Sequence, residues 1–426
     1  MSTLATHNQP AGTTRISDDA TPAPPAAPAK LPNVLLLAHR VPYPPDRGDR
    51  IRSYHLVKAL SRQFDLAIAC TTAEPSWLQF HQILSEVASR VAIEPISPVW
   101  SKLRGGMALL AGKPVTPACF YRSALAQTIL QWHEKRPFDA VLTFCSGMID
   151  YARLLQHAPN PPRIHVLDLV DVDSAKWASY AADSRFPMNM VYRAEAKRLR
   201  RVEAGETAVF DHVTVVSERE RQTYEHAIGQ RDNLHVVGNG VDLDYFQPLP
   251  DSDSNTLVFV GVLDYKPNAD AVVWFAKQVM PLLRQRVADA RFQVVGRHPT
   301  ARVLDLNQCD GVEVIGSVPD VRQYLKSACA VVAPLRIARG VQNKVLEAMA
   351  VSRVVVASPQ AAEGIHGENG RHLLIADEPQ QWAARLEHVM TDASLRKQIA
   401  AAARLQVEKR YNWANQLQPM IELLRG

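Results

Sequence analysis

The chain has 426 residues, of which 47% are hydrophobic and 21% charged, with a formal net charge of +5. That composition excludes a fibrous or wholly disordered chain and allows two or three domains. The weak positive balance gives no argument for nucleic acid, and no apolar run reaches the ~18 residues that a membrane-spanning helix needs.

Residues 1–30 are rich in Pro, Ala and Thr and lack the charged start and continuous apolar core of a signal peptide. They read as a disordered tail, and the protein is expected in the cytosol. Order begins at the apolar run NVLLLAH (33–39), a buried parallel strand. The loop RVPYPPDRGDR, the helix IRSYHLVKALSR and the strand DLAIACTT follow. The pattern repeats with a helix near 78–91, strand VAIEPI, helix 124–135, strand DAVLTF, a helix near 146–155 and strand RIHVLDLV. A long charged helix over 188–208, strand HVTVVS, a short helix and strand LHVVGNGVD complete this half. The polar, Pro-containing stretch QPLPDSDSNT (247–256) has linker composition.

A second series opens at LVFVGVL (257–263) and continues through helix 269–286 and strands RFQVVG, VEVIG, AVVAPL and RVVVAS with helices between them. Helix 380–390 and a helical tail from about 394 close the chain. Strands alternating with helices predict two doubly wound α/β domains, 31–248 and 249–410, with a helix at 411–426 packing back on the first. Ligands of such sheets sit beyond the carboxyl ends of the strands.

Five cysteines (Cys70, Cys119, Cys145, Cys309 and Cys329) stand apart, none in CxxC spacing. They indicate neither a disulfide framework nor a zinc site. No GxGxxG follows any predicted strand, which argues against a dehydrogenase. The stretch PLRIARGVQNKVLEAMAVSRVVVAS (334–358) gathers Arg339, Gly340, Asn343 and Lys344 before a helix that carries Glu347. Free N–H groups at a helix start bind phosphate, Gly340 admits close backbone approach, and the cations add full charges. Glu347, one turn on, is placed to accept from the paired hydroxyls of a ribose. The competing reading is a surface loop with a Lys344–Glu347 helix pair worth ~0.3–0.5 kcal/mol.

In the first half, Gly48 lies in a Pro/Gly turn with Arg47, Arg50 and Arg52 nearby, for phosphate or for solvent. Asp171 or Asp173 could orient an acceptor hydroxyl or take its proton, although Asp173 also suits a helix cap. His39 is an alternative acceptor contact, and Trp177 and Tyr180 either stack on a sugar or pack in the core. The basic stretch 192–206 either meets anionic headgroups or is a solvated helix with internal Glu–Arg pairs.

NKVLEAMAVSRVVVAS resembles the LEAMA-x-G-x-PVVA signature of the family 4 (group 1) glycosyltransferases, two-domain GT-B enzymes using nucleotide-diphospho-sugars. VTVVSERE, VVGNGVDLDYFQP, LVFVGVLDYKPNADAVVWF and GVEVIGSVPDVRQYLKSACAVVAPL extend the resemblance over about 33–413. More narrowly, PYPPDRGDRIRSYHLVKAL, DLVDVDSAKWASYA, DYKPNADAVVWFA and ARGVQNKVLEAMA resemble sugar transferases associated with exosortase/PEP-CTERM exopolysaccharide loci.

The resemblance implies two Rossmann-like domains facing across a cleft and a retaining, metal-independent transfer with no cofactor. It places the donor at Gly48, Asn239, Gly240, Gly261, Lys266, Gly340, Asn343 and Glu347. The family's sugar-contact role does not carry over to Arg339, and the residues' own chemistry makes Lys344, Arg339 and Asp173 the catalytic candidates. The acceptor would be a saccharide or polyprenyl-linked, with peripheral contact to the inner membrane. Two positions depart from the family: Arg339 stands where a sugar-contacting Glu is usual, and Val262 where Arg is common. That loss keeps two other readings open, an NDP-sugar epimerase and a non-catalytic nucleotide-sugar-binding scaffold.

Overall fold

The computed structural model describes residues 31–45, 48–206, 208–338 and 341–426. The expected tail 1–30 and the candidates Arg47, Arg339 and Gly340 lie outside the described residues.

Two parallel sheets organise the chain. The first contains β1 (Asn33–Ala38), β2 (Asp65–Thr72), β3 (Arg90–Pro95), β4 (Ala140–Phe144), β5 (Ile164–Val170), β6 (His212–Val215) and β7 (Leu234–Val236), in the order β3-β2-β1-β4-β5-β6-β7. The second contains β8 (Thr256–Val260), β9 (Arg291–Val295), β10 (Val312–Gly316), β11 (Ala330–Ala333), β12 (Val354–Ala357) and β13 (Leu374–Ile375), in the order β10-β9-β8-β11-β12-β13. The strand order reverses between β1 and β4 in one sheet and between β8 and β11 in the other. A crevice opens at such a reversal, beyond the carboxyl ends of the two strands, because their connections leave to opposite faces.

The strands are apolar runs because helices cover both faces. Val34, Leu36 and Ala38 pack toward Leu56, Val57 and Leu60 of the helix Gly48–Leu60, and Leu35 and Leu37 toward Ile129, Tyr151 and Leu155 on the other face. In the second domain, Val345, Leu346 and Met349 of the helix Asn343–Ala350 join the core formed by β8, β11 and β12. That burial turns Lys344 and Glu347, three residues apart, to the helix face left outside the core.

Several elements differ from the sequence reading. The helices Pro98–Leu110, Val115–Phe120 and Asp173–Asp183 and the strand β13 were not anticipated. The expected helix 269–286 is interrupted by a π turn at Phe275–Val279. Pro281 stands at the start of the next helical piece, and a proline inside a helix removes a donor and crowds the preceding turn.

The helical tail breaks into Ala393–Arg410 and Trp413–Leu423. Asn412 caps the second piece, its side chain accepting from the Ala414 N–H at 2.8 Å. Trp413, Leu417, Met420 and Ile421 of that piece join the core of the first domain. The two chain crossings between domains run side by side, with the Val241 N–H donating to Tyr411 O at 2.7 Å.

In the basic helix Met188–Glu206 two of the acids face other segments. Glu195 turns inward and accepts from the Val115 and Thr116 N–H groups at 2.8 and 3.0 Å, and Glu203 accepts from the Ser174 N–H at 3.0 Å.

Candidate functional site

The strand-order reversal of the second sheet brings together the loop after β8 and the helix that follows β11. Gly261 comes directly after β8. A Cβ there would stand 2.9 Å from Asn268 Nδ2, 3.0 Å from Lys344 Nζ and 3.0 Å from the Phe259 ring, so a side chain at this position would crowd the lysine. Lys344 Nζ donates to Asn268 Oδ1 at 2.6 Å and lies 4.3 Å from the centroid of the Phe259 ring. Asn268 is itself fixed by donating to Val262 O at 2.9 Å.

Lys344 and Glu347 are half-buried, and the Lys344 ammonium donates to Asn268. Burial pulls the Lys344 ammonium down to about 7, with Glu347 acting against it. Burial likewise pushes the Glu347 carboxyl up to about 7, with Lys344 opposing. A desolvated ammonium held by a neutral amide and an aromatic face is poised to gain charge when an anion arrives.

The helix start has the same character. Gln342 makes no side-chain cap, and Asn343 Oδ1 is buried without a hydrogen-bond partner. First-turn amides without a side-chain cap carry the positive end of the helix dipole. Lys266 is exposed at the first turn of the neighbouring helix Lys266–Trp274.

The loop before this helix also meets the first domain. Arg219 Nη1 donates to Ala338 O at 3.3 Å and pairs with Glu363. The candidates on the first domain are spread more widely. Gly48 starts the helix Gly48–Leu60 with open space where a Cβ would stand.

Asn239 and Gly240 lie against Arg52 and Trp413. Asn239 Oδ1 accepts from Arg52 Nη1 at 3.0 Å, and a Cβ on Gly240 would stand 2.8 Å from Trp413. Arg52 is not solvated. It is fully buried, with Nε 2.8 Å from Asp168 Oδ2, and Thr214 Oγ1 donates to the same carboxylate at 2.9 Å. Arg50 is paired with Glu74.

Asp173 begins the helix Asp173–Asp183 and accepts from Ser146 Oγ, just beyond β4. The backbone there is strained: Cys145 has φ 69° and the β-branched Val170 has φ 66°. Burial pushes the Asp171 carboxyl up, with the Lys176 charge opposing.

His39, after β1, lies against Phe144 and Phe120, with Nε2 3.5 Å from Asp49 Oδ2, which also accepts from Arg40 at 2.8 Å. Burial works to raise the Asp49 carboxyl. The His39 hydrogen bond and the Arg40 charge outweigh it and hold the group well below the usual carboxylate range. Trp177 and Tyr180 form an aromatic cluster with Tyr192 outside the main core. Among the described residues, no group of three or more His, Cys, Asp or Glu could hold a metal ion.

Sequence reasoning missed Asn268 and Phe259, which seat the lysine, and Asp49 and Ser146, which engage His39 and Asp173. Asn268 stands inside the YKPNAD string, but nothing local tied it to a lysine 76 residues away.

Residues 254–392 match the family described as glycosyl transferases group 1. The matched span holds the whole second sheet together with Gly261, Lys344 and Glu347. An uncharacterized 44.6 kDa protein in the cps region of Klebsiella pneumoniae is 22% identical over 164 residues, 37% of this chain and 42% of its own length.

Among solved structures, sucrose-phosphate synthase from Thermosynechococcus elongatus superposes with a TM-score of 0.67 at 16% identity, covering 92% of this chain and 98% of its own. Anabaena HepE in complex with UDP gives 0.62 at 15%, covering 92% and 99%. A point mutant of S. aureus TarM, in complex with fondaparinux, alpha-GlcNAc-glycerol and UDP, gives 0.53 at 14%. There 71% of this chain covers 59% of TarM. The fold is GT-B, with two Rossmann-like α/β domains.

Proposed function

We propose that this protein transfers a sugar from a nucleoside-diphosphate sugar to a glycan or lipid-linked acceptor. The observation that carries the reading is the Lys344 seat: a half-buried cation at a helix start, held by Asn268 and Phe259 beside Gly261. Two structural neighbours were solved with UDP, which supports a uridine-type donor.

The donor diphosphate would lie on Lys344 and the first-turn amides, with Lys266 contributing and the ribose on Glu347. As the anomeric C–O bond breaks, negative charge grows on the β-phosphate oxygen. A fixed ammonium and helix dipole stabilise that charge more than the ground state, which accelerates the step.

The configuration is retained in this reading. The leaving phosphate accepts the acceptor's proton, and the cations and helix start serve in place of a divalent metal. The acceptor binds on the first domain near His39–Asp49 and Ser146–Asp173. The cps-region relative supports polysaccharide synthesis. In this reading the product is an exopolysaccharide and the work is done at the cytoplasmic membrane face. Among the described residues no helix is long and apolar enough to cross a membrane, so contact of this part of the chain with the bilayer would be peripheral.

Calorimetry with UDP, GDP and their sugars tests the reading. Tight binding of one nucleotide that is lost in Lys344→Met supports it. Undiminished binding in that variant refutes it.

A further inference from the structure

Arg219 joins the carboxyl edges of the two sheets. It comes shortly after β6, next to Ser217, which caps the helix Glu218–Ala227 by accepting from the Glu220 N–H at 3.2 Å. From there its Nη1 donates to Ala338 O at 3.3 Å, in the loop after β11. The same side chain pairs with Glu363, which ends the short helix after β12. One residue of the first domain thus touches two segments of the second.

Its own helix does not account for it. A cation in the first turn opposes the helix dipole, so the helix gains nothing from Arg219. The neighbouring acids are engaged elsewhere: Glu218 accepts from Arg221 Nε at 2.9 Å, and Glu220 accepts from the Val172 N–H at 2.9 Å. The Arg219–Glu363 pair is exposed on both sides, and such a pair adds little to folding. Its effect falls instead on the approach of the domains. A bond made only when two domains meet biases them toward meeting by its own free energy.

The segment it touches leads to the donor helix. Residues 335–338 run toward the helix Asn343–Ala350, which carries Lys344 and Glu347. Their near end is tied within the second domain, where Ser358 Oγ donates to Leu335 O at 2.6 Å. Their far end, Ala338, is tied by Arg219 from the opposite domain.

We propose that Arg219 is a positioning residue that sets the donor segment from across the cleft, making donor binding sensitive to the approach of the first domain. The inference rests on the reading that Lys344 and the helix start hold the donor diphosphate. Arg219 acts through the Ala338 carbonyl. Its loss lowers the fraction of molecules with the segment in place, and the apparent Kd rises in inverse proportion to that fraction.

Hydrogen exchange at the amides of 335–338, thermal unfolding and calorimetry with UDP test this on the full chain. In Arg219→Ala, exchange at 335–338 and the UDP Kd each rise about fivefold while Tm is unchanged. Glu363→Gln removes the ion pair but keeps the bond to Ala338, and shifts both readings less than about twofold. Arg221→Ala removes the same charge from the same helix without touching the second domain, and leaves both readings as in the wild type.

Unchanged exchange at 335–338 in Arg219→Ala overturns the proposal. So does an equal rise in UDP Kd in Arg221→Ala, which makes the effect one of charge alone. An equal loss in Glu363→Gln gives the hold to the ion pair and overturns it as well. A wild-type chain that binds no UDP sinks the uridine donor reading instead, and exchange at 335–338 then decides by itself whether Arg219 sets the segment.

Discussion

Replacing Lys344 by Met should weaken donor binding while making the free protein more stable. The fall of the ammonium from 10.5 to about 7 corresponds to roughly 5 kcal/mol against the charged form. Met keeps most of the packing volume without that cost. It strands Asn268 Oδ1, which returns about 1–2 kcal/mol, and it forfeits the contact with the Phe259 ring, about another 1–2 kcal/mol. A net gain on the order of 1–3 kcal/mol at pH 7 is expected from these terms.

The sign with pH is fixed by linkage. Between about 7 and 10.5 the unfolded chain binds the lysine proton and the native one does not, so wild-type stability gains with pH from this group. The advantage of Lys344→Met is therefore largest at or below pH 7 and shrinks toward pH 10. Urea unfolding of both proteins at pH 7, 8 and 9 measures it. A charge-assisted bond to phosphate contributes about 1.5–3 kcal/mol, so the donor Kd should rise roughly 10- to 100-fold. A variant that is less stable at pH 7, or an advantage that grows with pH, would refute the desolvated-cation argument.

Glu347→Ala should raise the donor Kd about tenfold without lowering Tm, since the carboxyl is disfavoured by burial in the free protein; calorimetry paired with thermal unfolding checks both halves. Arg52→Leu should cost about 3–5 kcal/mol by stranding the fully buried Asp168, and Arg52→Leu with Asp168→Leu should recover most of it in urea titrations. Gly240→Ala drives a Cβ to 2.8 Å from Trp413 and should cost about 1–3 kcal/mol, read as faster hydrogen exchange in the helix Trp413–Leu423.

The alternation of strands and helices was legible in the sequence because parallel strands covered on both faces must be continuous apolar runs, as in LVFV, AVVA and VVVA. The helix that carries Lys344 and Glu347 was legible for a similar reason: Val345, Leu346, Ala348 and Met349 mark its buried face within a single turn or two. Those patterns are local, and local spacing is what a chain shows before it folds. Tertiary structure decided what each charge faces. Lys344 finds Asn268 across 76 residues and Arg52 finds Asp168 across 116, and Glu195 and Glu203 turn from helix-surface acids into caps for other segments. Gly240 is glycine because Trp413, far along the chain, returns to lie on it. Whether a polar group meets solvent, a partner or a ligand depends on which elements the sheets bring beside it, and the sequence spacing of those elements carries no record of that distance.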